Sequence, residues 1–344
     1  MKIMFRVDAS LQMGTGHVMR CLTLAQRLMG DGAEVEFICR KHQGNLIEMI
    51  RSRGITVFDL EIHAENVTDH SLSHSQWLGS TQEQDARDCI NVLNAKRIDW
   101  FVVDHYALDK NWHNMIRPYV TKILVIDDLA DKNFECDVVL NQNLGSNEKD
   151  YIDKTPNNCQ LWLGCDYSML RLEFENLRPE ALEKRKNTKE IKKILVSVGG
   201  SDNQNLTYDI LQDLDDQFDI TVVLGLVSPH NEMIQNYAKD KNIRVLINVN
   251  NMAELMLEAD LAIGAGGASS WERCCLGLPT LLFIVAENQR AVAKILERSG
   301  AAKITKCLKD DLQMMAGNLE LWRTMSEKAQ TICDGLGVKR IKLL

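Results

Sequence analysis

Ile3-Met4-Phe5-Arg6-Val7, then Gly14-Thr15-Gly16-His17, then Val18, Cys21, Leu22, Ala25, Leu28 and Met29 at helical spacing: this opening stretch decides the fold. The first run predicts a buried strand, the glycines a turn, and the periodic residues an amphipathic helix stopped by Gly30 and Gly32. A glycine turn lets a phosphate or sugar approach the backbone. The free amides and positive end of the following helix favour an anion there and disfavour a protonated imidazole. His17 is therefore the candidate general base; the alternative is a capping or core histidine.

Further strand-like runs follow at Val35 to Cys39, Trp100 to Val103, Lys122 to Ile126 and Val138 to Leu140, spaced widely enough for helical crossovers. The pattern repeats at Ile194 to Val198, Ile220 to Leu224, Val245 to Ile247, Leu261 to Ile263 and Leu281 to Val285. Alternation of this kind describes an α/β protein of two Rossmann-like domains whose parallel sheets face each other across a cleft. The expected organisation is a first domain over 1–177, a polar linker over 178–193, a second domain over 194–318, and a closing helix and tail over 319–344. Ligands in such sheets sit beyond the carboxyl ends of the strands, so the chemistry belongs in the loops that follow them.

At 344 residues the chain is long enough for two cores. Its net charge of −8 argues against a broad nucleic-acid surface while leaving room for a local basic site. The 10 cysteines are scattered without a Cys-x-x-Cys pair, which predicts reduced thiols. Charged residues interrupt the N-terminus, and the longest apolar stretch, Leu281 to Ala286, falls far short of the roughly 20 residues that cross a bilayer. A cytoplasmic, membrane-free monomer is expected.

Three further stretches carry candidate chemistry. Gly264-Ala265-Gly266-Gly267-Ala268-Ser269-Ser270-Trp271-Glu272 places a small-residue turn between a strand and a helix, a cradle for a diphosphate with two hydroxyl donors, and Glu272 one turn on for the hydroxyls of a ribose. Gly199-Gly200-Ser201-Asp202 is a second turn of this type, and Ala286-Glu287-Asn288-Gln289 ends a strand with polar side chains. Each has a bland alternative as an ordinary turn or solvated loop. Met19 stands where a dinucleotide fingerprint has its third glycine, and no P-loop occurs, so neither a nicotinamide cofactor nor P-loop ATP hydrolysis is expected. Asp127-Asp128 invites a metal, yet adjacent residues on an extended chain diverge and ligand spacing is lacking, so no metal and no cofactor are expected. His42, His63, His70, His74, His113 and His230 are expected at the surface.

Phe5-Arg6-Val7-Asp8, Gly14-x-Gly16-His17, Asp104-x-Tyr106-x-Leu108-Asp109, Ile126-Asp127-Asp128, Gly199-Gly200-Ser201-Asp202, the 264–279 stretch and Asn288-Gln289 together form an ordered set. The set resembles the UDP-sugar hydrolases of pseudaminic acid biosynthesis, which act on UDP-2,4-diacetamido-2,4,6-trideoxy-β-L-altropyranose. The match extends through Gly164, Tyr167, Leu170, Arg171 and Phe174. The second half is also similar to the nucleotide-binding half of GT-B glycosyltransferases.

The resemblance implies water attack at the anomeric carbon with C–O cleavage and inversion, without a metal. His17 matches the family's catalytic histidine, and Tyr106 and Asn288 match substrate contacts; Arg6, Asp8, Gly14, Gly16 and Gln289 complete the expected sugar site. On the nucleotide side Glu272 would hold the ribose, and Gly266, Gly267, Ala268, Ser269 and Ser270 the diphosphate. Asn251 and Met252 would hold the uracil, with Gly199 and Gly200 alongside. Ala268 departs from the serine or threonine often found there. Whether Asp8 or Asp109 assists His17 stays open at this level. The alternatives are a glycosyltransferase using the same UDP-sugar site and a non-catalytic UDP-sugar-binding subunit.

Overall fold

The computed structural model describes residues 1–63, 72, 74–93, 96–200, 202–226 and 228–343, with only the backbone of Asn288. His70 and Ser201 lie outside the described residues. The chain divides into two compact units, one of Met1–Met169 with Gly337–Leu344, the other of Leu170–Leu336.

The first unit is a parallel sheet of seven strands: β1 (Lys2–Val7), β2 (Glu34–Arg40), β3 (Thr56–Leu60), β4 (Ile98–Asp104), β5 (Val120–Ile126), β6 (Val138–Asn141) and β7 (Gln160–Leu163), in the order β3-β2-β1-β4-β5-β6-β7. The order reverses between β1 and β4, where Val7 pairs with Asp104. Crevices that hold ligands open at such a reversal. Apolar clusters cover both faces: Phe5, Leu22, Phe37 and Val102 belong to one, Met4, Phe101, Trp112 and Ile123 to the other. Helix Gly16–Gly30 turns Val18, Cys21, Leu22, Ala25 and Leu28 inward as predicted, and also Arg20, whereas Met29 of the same pattern is exposed.

The second unit repeats the plan with β8 (Lys193–Ser197), β9 (Asp219–Leu224), β10 (Ile243–Ile247), β11 (Leu261–Ala265), β12 (Thr280–Phe283) and β13 (Lys303–Ile304), in the order β10-β9-β8-β11-β12-β13. Here the reversal lies between β8 and β11. Gly264 is set against Ser197 in that register, and a β-carbon at Gly264 would fall 2.4 Å from the Ser197 carbonyl oxygen. Gly264→Ala is therefore expected to destabilise this unit by about 1–3 kcal/mol. An unchanged denaturation midpoint for that variant would contradict the close approach.

The chain changes units at Met169–Leu170, earlier than the polar 178–193 stretch suggested. Most of that stretch belongs to helix Leu172–Asn187, whose basic residues pack within the second unit: Arg185 is buried and its Nη2 donates to the Met256 carbonyl at 2.7 Å. A guanidinium near a helix end satisfies otherwise free carbonyls, which is how a polar sequence stays docked. Helix Leu319–Ile332 also packs in the second unit, through Trp322 Nε1 to the Asp260 carbonyl at 2.8 Å. Only Gly337–Leu344 returns to the first unit, where Trp100 Nε1 donates to the Leu343 carbonyl at 3.0 Å. None of the ten cysteines is in a disulfide. No helix among the described residues is long and apolar enough to cross a membrane.

Candidate functional site

In the first unit the loops after β1, β4 and β5 bring together the groups around His17. Gly14, at φ +76°, closes the turn after β1 with its N–H on the Ser10 carbonyl at 2.8 Å, and Gly16 begins the helix with open space where a side chain would stand. The His17 side chain, 12% exposed, sets Nδ1 2.7 Å from Asp104 Oδ1 at the end of β4. Arg20, one turn along the same helix face, donates Nε to Asp104 Oδ2 and Nη2 to Oδ1, each at 2.7 Å. An ionised carboxylate only accepts, so Nδ1 carries a proton, and in the neutral ring the lone pair is on Nε2. The 3.2 Å approach of Arg20 Nη2 to the same Nδ1 is accordingly a contact of two donors.

Burial acts to raise the Asp104 carboxyl, but the Arg20 guanidinium and His17 overcome it and hold the group well below the ordinary carboxylate range. Arg20 also pairs through Nη1 with Asp128 Oδ2 at 2.7 Å, and Asp128 takes the Tyr106 hydroxyl at 2.6 Å and Asn143 Nδ2 at 2.7 Å. The Tyr106 ring meets His17 edge-on with centroids 4.6 Å apart. Asp127 turns the other way, accepting from Tyr151 Oη at 2.8 Å and from the Ala130 N–H at 2.7 Å. The pair diverges as its spacing predicts.

Asp104, not Asp8 or Asp109, orients His17. Asp109 caps helix Lys110–Ile116 by accepting from the Asn111 N–H. Arg6 and Asp8, expected at the sugar, are fully enclosed instead: Arg6 pairs with Asp8 and Asp85 at 2.6 Å each, and Asp8 accepts from the Arg40 N–H at 2.6 Å. Buried charges persist only in such mutual pairing, so these residues hold β1 and β2 together below the site. Three surface histidines are corrected likewise: His74 packs its ring on Trp77 and Tyr106 with Nδ1 buried. His113 is buried, with burial pushing its ring down to about 3, and His42 Nε2 sits 3.7 Å from Asp8 Oδ2. The sequence sets the strand end Asp104-His105-Tyr106 near His17 but does not single out Asp104 or Arg20 as its partners; for Arg20 the available signal was its three-residue spacing from His17, which puts both on one helix face.

In the second unit the turn after β11 leads into helix Ser269–Cys275. Arg273 lies beneath it, donating to the Ala265 carbonyl at 2.7 Å, to Ser270 Oγ at 3.0 Å and to Ser269 Oγ at 3.2 Å. Both hydroxyls thus accept from the guanidinium, which leaves their own protons to donate. Gln289 approaches the same turn: a β-carbon at Gly267 would lie 3.7 Å from its Nε2. Asn288 follows β12 in the same 3₁₀ turn. Gly199 and Gly200 follow β8, exposed at the neighbouring loop.

Glu272, about one-fifth exposed, has Oε1 3.8 Å from Arg171 Nη2, and burial raises its carboxyl against the opposing Arg171 and Arg273 charges. Arg171 Nη1 also donates to the Asn250 carbonyl at 3.1 Å, which ties Glu272 to the segment of Asn251 and Met252. Asn251 begins helix Met252–Glu258 and donates Nδ2 to Glu254 at 3.0 Å. Ala268, Ser269, Glu272, Asn251 and Met252 all keep accessible surface, whereas Gly266 and Ser270 are buried in the turn.

Two parallel-sheet halves of this kind define a protein of GT-B architecture. The solved structure of MurG from Acinetobacter baumannii matches at a TM-score of 0.67 with 16% identity, covering 99% of this chain and 97% of that one. Residues 178–328 match the glycosyltransferase family 28 C-terminal domain. An uncharacterized protein of Methanocaldococcus jannaschii is 30% identical over 84% of the chain, which spans 57% of that relative's length. A Campylobacter jejuni protein named UDP-2,4-diacetamido-2,4,6-trideoxy-beta-L-altropyranose hydrolase is 27% identical over 87% of this chain and 97% of its own. The chain is thus similar over most of its length to a protein named as one of the hydrolases that its ordered motifs resemble.

Proposed function

We propose that this chain hydrolyses UDP-2,4-diacetamido-2,4,6-trideoxy-β-L-altropyranose to UDP and the free sugar, as a cytoplasmic, metal-independent monomer. The observation that carries this reading is the 2.7 Å contact of His17 Nδ1 with Asp104, which leaves Nε2 as a positioned proton acceptor. Water forms the new bond to the anomeric carbon as its proton passes to Nε2. The bond from that carbon to the diphosphate oxygen breaks, its electron pair leaves with UDP, and the configuration inverts. UDP is already a good leaving group, so the protein's part is to position the water, accept its proton and receive charge on the diphosphate. Backbone amides of 266–268, with the Ser269 and Ser270 hydroxyls, supply the last function. The name of the Campylobacter relative supports the sugar assignment.

Glu272 is assigned to the ribose hydroxyls, with Asn251 and Met252 at the uracil, Gly199 and Gly200 along the nucleotide, and Asn288 and Gln289 at the sugar end. Glu272→Ala is expected to raise the Kd for UDP about ten- to hundredfold, since a hydrogen bond to a charged group is lost. An unchanged Kd by calorimetry would remove Glu272 from the ribose.

The match of residues 178–328 to a glycosyltransferase domain favours a second reading, transfer of the sugar to an acceptor hydroxyl. Proton NMR of the purified protein with the diacetamido UDP-sugar alone decides between them. Release of UDP together with an inverted free sugar supports hydrolysis, and turnover that waits for an added acceptor supports transfer.

A further inference from the structure

Beside His17 and Tyr106 stand two aromatic side chains, Trp77 and His74, for which the reaction chemistry gives no role. The Tyr106 ring, edge-on to His17, is stacked by Trp77 at 5.7 Å between centroids and 26° between planes. His74 touches both, 4.3 Å from the Trp77 ring and 5.2 Å from Tyr106. These two come from the short 3₁₀ turn Ser75–Leu78 and the residue before it. Leu78 anchors the turn in the core at 1% exposure, while Trp77 remains half-buried outside it. The His63 N–H bonded to the Gly79 carbonyl at 2.8 Å ties down the turn's far end.

This aromatic wall is apolar where it meets His17. The hydroxyl of Tyr106 is committed to Asp128 and the residue is buried at 7% exposure, so the half-buried Trp77 carries the accessible part of the wall. Burial lowers the His74 ring below its ordinary range, and its Nδ1 is buried without a hydrogen-bond partner among the described residues. Trp77 would not be left stacked at a catalytic edge for core packing, since Leu78 supplies that. A flat apolar surface next to a base suits the C–H face and methyl groups of a ring, and penalises a hydroxyl placed against it.

Resting on the hydrolase reading, we propose that Trp77, stacked on Tyr106 and backed by His74, is a specificity-determining residue. It packs against the methyl-bearing face of a 6-deoxy sugar and selects it over the 6-hydroxymethyl counterpart. The two sugars differ by one hydroxyl, and an apolar site rejects an added hydroxyl by up to about a hundredfold.

The test compares kcat/KM for the 6-deoxy UDP-sugar and for its 6-hydroxylated analogue in wild type, Trp77→Ala and Trp77→Phe. The alanine variant is expected to lose about tenfold of the wild-type preference, within that bound. Its Kd for UDP should stay unchanged, and phenylalanine should retain most of the preference. If alanine fails to fold, Trp77→Leu, which keeps bulk without a flat ring, takes its place with the same expected loss. An unchanged preference in a folded variant overturns the proposal. If wild type turns over neither sugar, the hydrolase reading has failed, and saturation-transfer NMR of the free 6-deoxy sugar then decides. Methyl transfer seen in wild type and lost in Trp77→Ala upholds the wall; equal transfer, or none in either protein, overturns it.

Discussion

Replacing His17 by alanine is expected to lower kcat by about 10²–10⁴ while leaving the Kd for UDP unchanged. The size follows from the role: general-base help is lost, but the diphosphate remains a competent leaving group. The separation of kcat from Kd follows from placement, because His17 belongs to the unit of β1–β7, whereas the nucleotide cradle is assigned to the unit of β8–β13. His17→Phe tests the same point with the volume kept. It should match alanine in kcat, since a ring without a lone pair fills space but accepts no proton. Stopped turnover and UDP titration on both variants give the two quantities directly. A folded alanine variant that retains near-normal turnover would reject His17 as the base.

The interior strands were legible, and of the four edge strands only β10 was. Ile3 to Val7, Trp100 to Val103 and Lys122 to Ile126 are flanked on both sides in the sheet, and their near-continuous apolar runs declare it. Three strands escaped: β3, β7 and β13, each at the margin of its sheet. Their burial explains why. Gln160–Leu163 and Lys303–Ile304 are only four and two residues long and contain no fully buried residue, and the exposed Asp59 interrupts Thr56–Leu60, so their apolar runs are short. Edge strands need less apolar surface because only one side is paired.

For the site, glycine turns and His17 were readable because turns have local signatures. Asp104 as the partner of His17 was not, since the pairing arises from strand order: β4 lies beside β1 although 87 residues separate the two side chains. Arg6 and Asp8 misled for the converse reason. Their place in the opening motif of the resemblance suggested a ligand, and the side chains alternate into an enclosed cluster with Asp85 and Arg40. Composition alone does not separate a buried ion cluster from a binding site when both sit at a strand's carboxyl end.

Asp104→Asn is expected to lower kcat by about 10²–10⁴ with UDP affinity unchanged, although the new side chain has nearly the same shape. The amide has a donor as well as an acceptor. Turned with Nδ2 toward the imidazole, it donates to Nδ1 and forces the ring proton onto Nε2, which removes the lone pair that meets water. The same change leaves the buried Arg20 with Asp128 as its remaining carboxylate, so a loss of about 1–3 kcal/mol in stability accompanies it. That loss has a pH signature. Although burial alone would raise Asp104, Arg20 and His17 keep it ionised below its unfolded value, so its stabilisation is complete above about pH 4. It is surrendered as pH falls toward the folded titration point. The stability gap between wild type and Asp104→Asn should therefore be widest near neutrality and narrow in acid. Urea denaturation at both pH values measures it. A gap independent of pH, with kcat intact, would show that Asp104 neither pairs as a carboxylate nor sets the His17 tautomer.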